Sequence, residues 1–282
     1  MKLVRVGEAG TETPAVLTGD DRLLDLSGVV PDIDPAFFAG DGLARVAAAA
    51  AGGLPELDAT GRRFGPPIRR PGKIVCIGLN YHDHARETGA AIPAEPIVFM
   101  KAPNAVVGPD DQVLVPRQST KTDWEVELAI VIGREARYLA DEAAAADVIA
   151  GYTICNDVSE RAFQTERGGQ WDKGKSCETF NPMGPWVVTA DEVGDPQQLG
   201  LRLWVNGEQR QNGTTKEMIF GVHHIVWYLS QFMVLEPGDV VNTGTPAGVA
   251  LGMPEPRFLR AGDVMELEID GLGRQRQEVG QA

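Results

Sequence analysis

Acidic side chains alternate along one short stretch of the chain, where they could bind a cation. Asp123, Glu125 and Glu127 are separated by single residues and lead into an apolar run that ends at Ile132. In an extended strand alternate side chains share a face, so the three carboxylates point the same way. Crowded carboxylates repel each other unless a cation joins them. The alternative is a solvated edge strand whose acidic stripe is coincidental.

A second apolar strand ends in a further carboxylate. The run from Gly151 to Cys155 is followed by Asn156 and Asp157. Two strand ends that bring Glu125, Glu127 and Asp157 to one point would form an all-oxygen site, which selects Mg²⁺ or Mn²⁺ over zinc. Asp157 could equally be a turn residue after a strand, and spacing alone leaves both interpretations open.

A histidine and a glutamate lie close together in a segment that predicts a short helix. The pattern indicates a strand that ends near Ile77, a turn, and a helix with Gly89 at its C-terminus. On that helix His84 and Glu87 are three residues apart and therefore neighbours, so the carboxylate could polarise the imidazole as a general base. The alternative is a surface pair that contributes little.

Two glycine-flanked segments could contact an anionic intermediate. Lys175 lies between a glycine and a serine, and Gly244 and Gly248 would let backbone N–H groups approach a ligand. A solvated lysine and an ordinary turn are the simpler alternatives. The turn matches neither the dinucleotide-binding pattern nor the phosphate-binding loop of nucleotide hydrolases, so we predict no nucleotide site there.

Short β-branched runs separated by turn residues dominate the chain from Lys73 onward. Helical stretches are few, at about 140–149 and 218–232, which disfavours regular βαβ alternation and predicts a strand-dominated α+β fold with a folded or closed sheet. Residues 1–72 predict a small domain with three short strands and a helix over 36–51 capped by Asp34. A linker rich in glycine, proline and arginine ends that domain, and residues 73–282 form the larger one.

The overall composition excludes several classes of protein. Among 282 residues, 26 basic and 40 acidic side chains give a net charge of −14, which argues against a nucleic-acid-binding surface. Three cysteines without a CxxC pair indicate a reducing cytoplasm. No apolar run approaches the length of a membrane span, and the first residues do not resemble a signal peptide, so we expect no membrane association.

Taken in order, these motifs resemble the fumarylacetoacetate hydrolase family, in its acylpyruvase-like and 2,4-diketo-3-deoxy sugar acid hydrolase branch. The matching segments are 77–81 with His84 and Glu87, 123–127, 156–159, 174–176, 206–207 and 243–249. They span residues 73 to about 270. The resemblance implies a mixed β-roll catalytic domain, a small N-terminal α+β domain and a homodimer.

The resemblance also implies a role for each candidate residue. It makes Glu125, Glu127 and Asp157 the ligands of Mg²⁺ or Mn²⁺. His84 and Glu87 become a pair that activates water, and Lys175 becomes a cation beside the reacting carbonyl. Substrate-contacting positions are matched by Arg161, Gln164 and Thr245.

The chemistry of such a site follows from the bond that it would break. Hydrolysis of a β-diketone requires water to add to one carbonyl and an enolate to leave, so negative charge must be stabilised, as a Lewis-acidic cation does. The resemblance and this chemistry together predict a hydrolase that takes a small anionic 2-oxo acid. Its substrates would be acylpyruvates or 2,4-diketo-3-deoxy sugar acids such as 2,4-didehydro-3-deoxy-L-rhamnonate, and pyruvate would be released.

Two alternatives stay open from the sequence. An oxaloacetate-type decarboxylase or a keto–enol isomerase could use the same metal site through an enolate, without activated water. An inactive metal-binding member of the family with a binding or assembly role is the alternative from a different class.

Overall fold

The computed structural model describes residues 1–282. It contains seventeen strands and seven α-helices. The strands are β1 (Lys2–Val6), β2 (Thr13–Leu17), β3 (Leu23–Asp25), β4 (Ile74–Gly78), β5 (Ile97–Lys101), β6 (Val106–Val107), β7 (Val113–Val115), β8 (Thr122–Asp123), β9 (Val126–Ile132), β10 (Ile149–Asn156), β11 (Ser159–Glu160), β12 (Asn181–Thr189), β13 (Gly200–Val205), β14 (Glu208–Thr214), β15 (Val240–Asn242), β16 (Val264–Ile269) and β17 (Gly273–Gln281).

The helices are short and lie between strands. They are α1 (Pro35–Ala39), α2 (Gly42–Gly52), α3 (His82–Thr88), α4 (Arg161–Thr165), α5 (Asp172–Lys175), α6 (Ala190–Val193) and α7 (Val222–Ser230). Short 3₁₀ segments occur at Pro103–Ala105, Ala143–Val148, Pro196–Gln198, Thr215–Glu217 and Ala250–Gly252. None of these helices combines the length and the apolar character that crossing a bilayer requires.

Strand β9 lies near the middle of the larger sheet. The strand order of that sheet is β3-β2-β1-β12-β10-β9-β15-β4-β5, and β6 pairs with β12 off this path. Strand β9 is antiparallel to both β10 and β15, and all seven of its residues are buried. A central strand that is covered on both faces has a nearly continuous apolar sequence, and residues 126–132 have such a sequence.

The two faces of β9 contribute to two different cores. Leu128 and Ile130 join the main core, which also takes side chains from β13 and β16 of the second sheet, ordered β14-β13-β16-β17-β7. Ala129 and Val131 join a smaller core with apolar side chains from the first 70 residues. Glu127 has the same parity as Ala129 and therefore stands on the face toward this smaller core.

The N-terminal strands extend the sheet that carries β9. Strand β1 pairs antiparallel with β12, with Leu3 opposite Val187, so residues 1–72 share their sheet with the rest of the chain. The structure is strand-dominated with few helices, as the sequence predicts. The domain boundary after residue 72 stays a prediction.

The helix predicted over 36–51 is divided in two. Asp34 caps the first part as predicted, because its side chain accepts a hydrogen bond from the Phe37 amide at 2.9 Å. Helix α1 ends at Ala39 and α2 begins at Gly42. The interruption falls at Gly40, where the absence of a Cβ lowers the helical propensity.

Two other helix predictions differ from the structure in extent. The stretch predicted at about 140–149 forms only the 3₁₀ turn Ala143–Val148. Its β-branched end, Val148 and Ile149, leads directly into β10, where such side chains pack well. The helix predicted over 218–232 is α7, which is shorter at both ends.

Candidate active site

Three carboxylates meet where β9 begins and β10 ends. Glu127 on β9 lies opposite Cys155 on β10, and the Asp157 amide donates to the Glu125 carbonyl at 2.9 Å. This antiparallel pairing brings together Glu125, Glu127 and Asp157, whose carboxylate oxygens lie within 4.8 Å of one another. All three residues are buried. The structure therefore places the three predicted ligands in one cluster.

Two buried cations hold two of these carboxylates. The Lys175 Nζ donates to Glu125 at 2.7 Å and to Asp157 at 2.8 Å. Arg161 donates to the other Glu125 oxygen at 2.7 Å and through Nε to Asp123 at 2.8 Å. The pairing of β8 with β11 brings Asp123 and Arg161 close together. Burial makes this pairing necessary, because an unpaired charge away from water is very costly.

A third buried cation, Lys101, did not emerge from the sequence. It lies at the end of β5, its side chain is 0% exposed, and its Nζ donates to Asp157 and to the Val158 carbonyl. A lysine at the end of a short strand is ordinarily solvated. The only indication in the sequence is that Lys101 lies two residues after Phe99 on the same strand, so the two side chains share a face and both point inward. This alternation alone does not identify Asp157, 56 residues away, as the partner.

Asp123 shares the predicted acidic stripe but belongs to a different set of contacts. Its carboxylate accepts hydrogen bonds from Arg161 and from the amides of Ala250 and Leu251 at 2.8 and 3.0 Å. Asp123 therefore fixes the orientation of Arg161 and the 3₁₀ turn beside it. It is not among the three clustered ligand residues.

The environments of Glu125 and Glu127 shift their pKa values in opposite directions. Burial raises the pKa of Glu125, but Lys175 and Arg161 outweigh it and hold that pKa well below the usual range. Burial together with the charges of Asp157 and Glu125 raises the pKa of Glu127 well above its usual value. Glu127 accepts a hydrogen bond from the Gly244 amide at 2.8 Å and has no cationic partner.

The cluster fits a hard divalent cation. All three donors are carboxylates, and each has about four acceptor positions, so the hydrogen bonds described above leave room for a bound ion. The shortage of positive charge is localised at Glu127. The buried charged group contains four carboxylates and three cations, so its formal net charge is −1. Its members are Asp123, Glu125, Glu127, Asp157, Lys101, Arg161 and Lys175.

His84 and Glu87 form the predicted pair on α3, and Gly89 caps the C-terminus of that helix as expected. The His84 Nδ1 lies 3.3 Å from a Glu87 oxygen. The Gly248 amide donates to the same carboxylate at 2.9 and 3.1 Å, which fixes it in place. A Cβ at Gly252 would lie 2.3 Å from the Glu87 carboxyl carbon, so the close approach requires glycine there. With Nδ1 bonded to Glu87, the His84 Nε2 is the nitrogen left to accept a proton.

A cavity of about 240 Å³ opens beside the cluster and the pair. Its walls include His84, Glu125, Glu127, Arg161, Gln164, Lys175 and Thr245. Among the residues predicted to bind metal, substrate or water, Asp157 and Glu87 do not line it and instead support residues that do.

The predicted substrate contacts differ in what they can offer. The Gln164 carbonyl oxygen accepts from Arg161 at 3.1 Å, and its amide nitrogen has no protein acceptor. The Thr245 hydroxyl donates to the Val126 carbonyl at 2.9 Å and accepts from Gln211 at 2.7 Å. Thr245 therefore has little hydrogen-bonding capacity left for a substrate.

Replacing Lys101 by Met is expected to lower the free energy of unfolding of the metal-free protein by about 3 kcal/mol, because a buried Asp157 oxygen loses its cation. Lys121→Met is the control, since Lys121 pairs with Glu166 at the exposed surface, where loss of a pair costs about 1 kcal/mol or less. Urea unfolding in EDTA measures both. Equal losses in the two variants would show that Lys101 has no special structural role.

Comparison with known proteins shows which proteins the chain resembles. Residues 73–280 match the family model described as fumarylacetoacetate (FAA) hydrolase C-terminal. A protein of Burkholderia lata named only as a hydrolase is 50% identical over the full length of both chains. A solved probable 2-hydroxyhepta-2,4-diene-1,7-dioate isomerase from Mycobacterium abscessus has a TM-score of 0.85 at 33% identity, covering 100% of this chain and 99% of its own.

A third similar structure contains bound molecules. It is a maleylpyruvate hydrolase from Sphingobium sp. SYK-6 in complex with manganese(II) and pyruvate, with a TM-score of 0.82 and 29% identity over the full length of both chains. The matched family model spans well over half of the present chain. The chain therefore belongs to the fumarylacetoacetate hydrolase family.

Proposed function

We propose that the protein is a divalent-metal-dependent hydrolase that cleaves the carbon–carbon bond of 2,4-dioxo acids and releases pyruvate. The observation that carries the proposal is that Glu125 and Glu127 of the carboxylate cluster line the same cavity as His84, which Glu87 orients. A site that both stabilises an enolate and activates water needs both parts.

Glu125, Glu127 and Asp157 would hold Mg²⁺ or Mn²⁺. The all-oxygen donor set and the missing cation at Glu127 support this assignment. The manganese and pyruvate in the similar maleylpyruvate hydrolase structure also support it. When bound, such an ion supplies Lewis acidity toward the oxygens of a 2-oxo acid.

The chain's own residues would handle the proton and the negative charge. The His84 Nε2 would take a proton from water, and Glu87 would stabilise the resulting imidazolium through Nδ1. Burial lowers the pKa of Lys175, but Asp157 and Glu125 outweigh it and raise that pKa, so the side chain keeps its charge beside the cavity. Lys175 would then meet the oxyanion formed when water adds.

A panel of 2,4-dioxo acids assayed for pyruvate release tests the proposal. With added Mg²⁺ or Mn²⁺ we expect turnover of at least one compound, and after EDTA treatment a loss of at least about 100-fold. Pyruvate release from none of the panel would refute the hydrolase proposal. Full activity after removal of divalent ions would refute the metal's role.

A keto–enol isomerase or an oxaloacetate-type decarboxylase is the second candidate. The similarity to a probable heptadienedioate isomerase favours it, because isomerisation through an enolate uses the metal site and needs no activated water. Detection of turnover with any 2,4-dioxo acid would exclude the third possibility, an inactive binding or assembly protein.

We also propose a cytoplasmic homodimer. Three free thiols support a reducing compartment. Tyr138 and Phe232 are large apolar side chains, each 67% exposed, which a partner subunit could cover. Sedimentation equilibrium would give twice the chain mass of 30.3 kDa for a dimer.

A further inference from the structure

We propose that the distal part of the cavity accepts an uncharged, apolar tail. Given the proposed function, which fixes the 2-oxo acid end at the carboxylate cluster, the substrates are monocarboxylic acylpyruvates with an alkyl or aryl tail. Dicarboxylic 2,4-dioxo acids and polyhydroxylated sugar acids are disfavoured.

The first reason is that the cavity has no free cation for a second carboxylate. Its basic side chains are His84, Arg161 and Lys175. Arg161 donates to Glu125 and to Asp123, and Lys175 donates to Glu125 and to Asp157. His84 faces Glu87 through Nδ1. A distal carboxylate would therefore lose its water without gaining a charged partner.

The second reason concerns hydroxyl groups. Thr88 and Thr165 also line the cavity, but their hydroxyls donate to the His84 and Arg161 carbonyls of their own helices, each at 2.9 Å. The hydroxyl of Thr245 is engaged as described above. Among the lining amide and hydroxyl side chains, the nitrogen of Gln164 alone keeps free donors. A polyhydroxylated tail would therefore find few side-chain donors for its hydroxyl oxygens.

The remaining wall is apolar and begins beside the charged cluster. The Lys175 Nζ lies 4.9 Å from the centre of the Phe99 ring, and that ring packs against Trp171 with centres 5.4 Å apart. A Cβ at Gly78 would lie 2.5 Å from the Trp171 ring, so the indole rests directly on the backbone there. Ile97 and Leu251 continue the lining where the cavity reaches solvent. A tail that leaves the charged end therefore passes along aromatic and aliphatic side chains.

Two inert 2-oxo acids of equal length test the inference without requiring turnover. 2-Oxooctanoate has an apolar end, whereas 2-oxooctanedioate has a carboxylate there, and neither has the 4-oxo group that cleavage needs. In calorimetric titrations with Mn²⁺ present, we expect the monoacid to bind at least about tenfold more tightly. In parallel, kcat/KM for hexanoylpyruvate should exceed that for fumarylpyruvate and for a hydroxylated 2,4-dioxo acid by about tenfold or more.

Two arginine variants on β5 test whether the apolar side chains that line the cavity cause the preference for the monoacid. Ile97 lines the cavity and Val98 does not, although they are adjacent and 36% and 37% exposed. Ile97→Arg should shift the binding ratio toward 2-oxooctanedioate by about tenfold, because it supplies the missing cation. Val98→Arg makes the same change in net charge and should leave the ratio unchanged.

The outcomes separate this inference from the proposed function. The inference of an apolar tail would be contradicted, even if pyruvate is released, by either of two results. One is that the wild type binds the diacid as tightly as the monoacid or more tightly, and the other is that the two arginine variants have the same ratio of monoacid to diacid affinity. If the protein binds the monoacid more tightly but releases pyruvate from no 2,4-dioxo acid, the inference of an apolar tail stands and the proposed hydrolase function is rejected. Failure of both 2-oxo acids to bind would count against both proposals.

Discussion

Glu127→Gln is expected to abolish metal-dependent activity while leaving the metal-free protein as stable as the wild type or more stable. Glutamine keeps the shape of the side chain, and its carbonyl oxygen can still accept the hydrogen bond from Gly244. The substitution removes a charge that burial, Asp157 and Glu125 all disfavour. We expect the affinity for Mn²⁺ and the rate of pyruvate release each to fall at least about 100-fold.

The stability of this variant should depend on pH in a definite direction. A carboxyl whose pKa is raised in the folded state contributes stability that is present below its unfolded pKa and is lost as pH rises toward the folded value. Glu127 is such a group, so the advantage of the Glu127→Gln variant over the wild type should grow as pH increases above the ordinary carboxyl range. Urea unfolding in EDTA at several pH values between about 5 and about 8 measures it.

Glu125→Gln is the matched control, because it removes the same charge from the same cluster. Glu125 is bonded by both Lys175 and Arg161, and its pKa is lowered. Its stabilisation is present above the unfolded pKa and is lost as pH falls. Both variants should lose metal binding, but only Glu125→Gln should lower the free energy of unfolding, by about 3 kcal/mol. Similar destabilisation by both would contradict the assignment of Glu127 as the carboxylate without a cation.

The sequence was informative where side chains follow a local period. Parity along residues 123–127 placed Glu125 and Glu127 on one face, and the end of the next apolar run pointed to Asp157. Helical spacing likewise paired His84 with Glu87. In each case the relevant neighbour is close in sequence or lies at the same end of an adjacent strand, so a one-dimensional pattern is sufficient to predict it.

Contacts that depend on sheet order could not be predicted in this way. Lys101 reaches Asp157 although β5 lies at the sheet edge beyond β4, four strands from β10. Gln211 supports Thr245 from a strand of the other sheet. Nothing local in either segment specifies these partners, because register and strand order are set by the packing of the whole chain. The division of the N-terminal helix at Gly40 is a different case, since glycine's low helical propensity was visible there.

His84→Ala is expected to reduce hydrolysis of 2,4-dioxo acids by about 10²–10⁴-fold while leaving the affinity for Mn²⁺ within about twofold, because His84 is not among the clustered carboxylates. Decarboxylation of oxaloacetate should persist in the variant, because loss of CO₂ forms the enolate without a base that removes a proton from water or from carbon. His82→Ala is the control. It removes an imidazole from the same helix at a position that does not line the cavity, so hydrolysis should be unaffected.

The two activities together distinguish the two candidate functions of the site. His84→Ala should lose hydrolysis and retain decarboxylation, and His82→Ala should retain both activities. This result would assign water activation to His84 and enolate stabilisation to the carboxylate cluster. If His84→Ala hydrolyses 2,4-dioxo acids at the wild-type rate, the pair with Glu87 does not activate water. Water would then be activated by a group other than His84, and Glu125, Glu127, Asp157 and Lys175 would keep their role in stabilising the enolate.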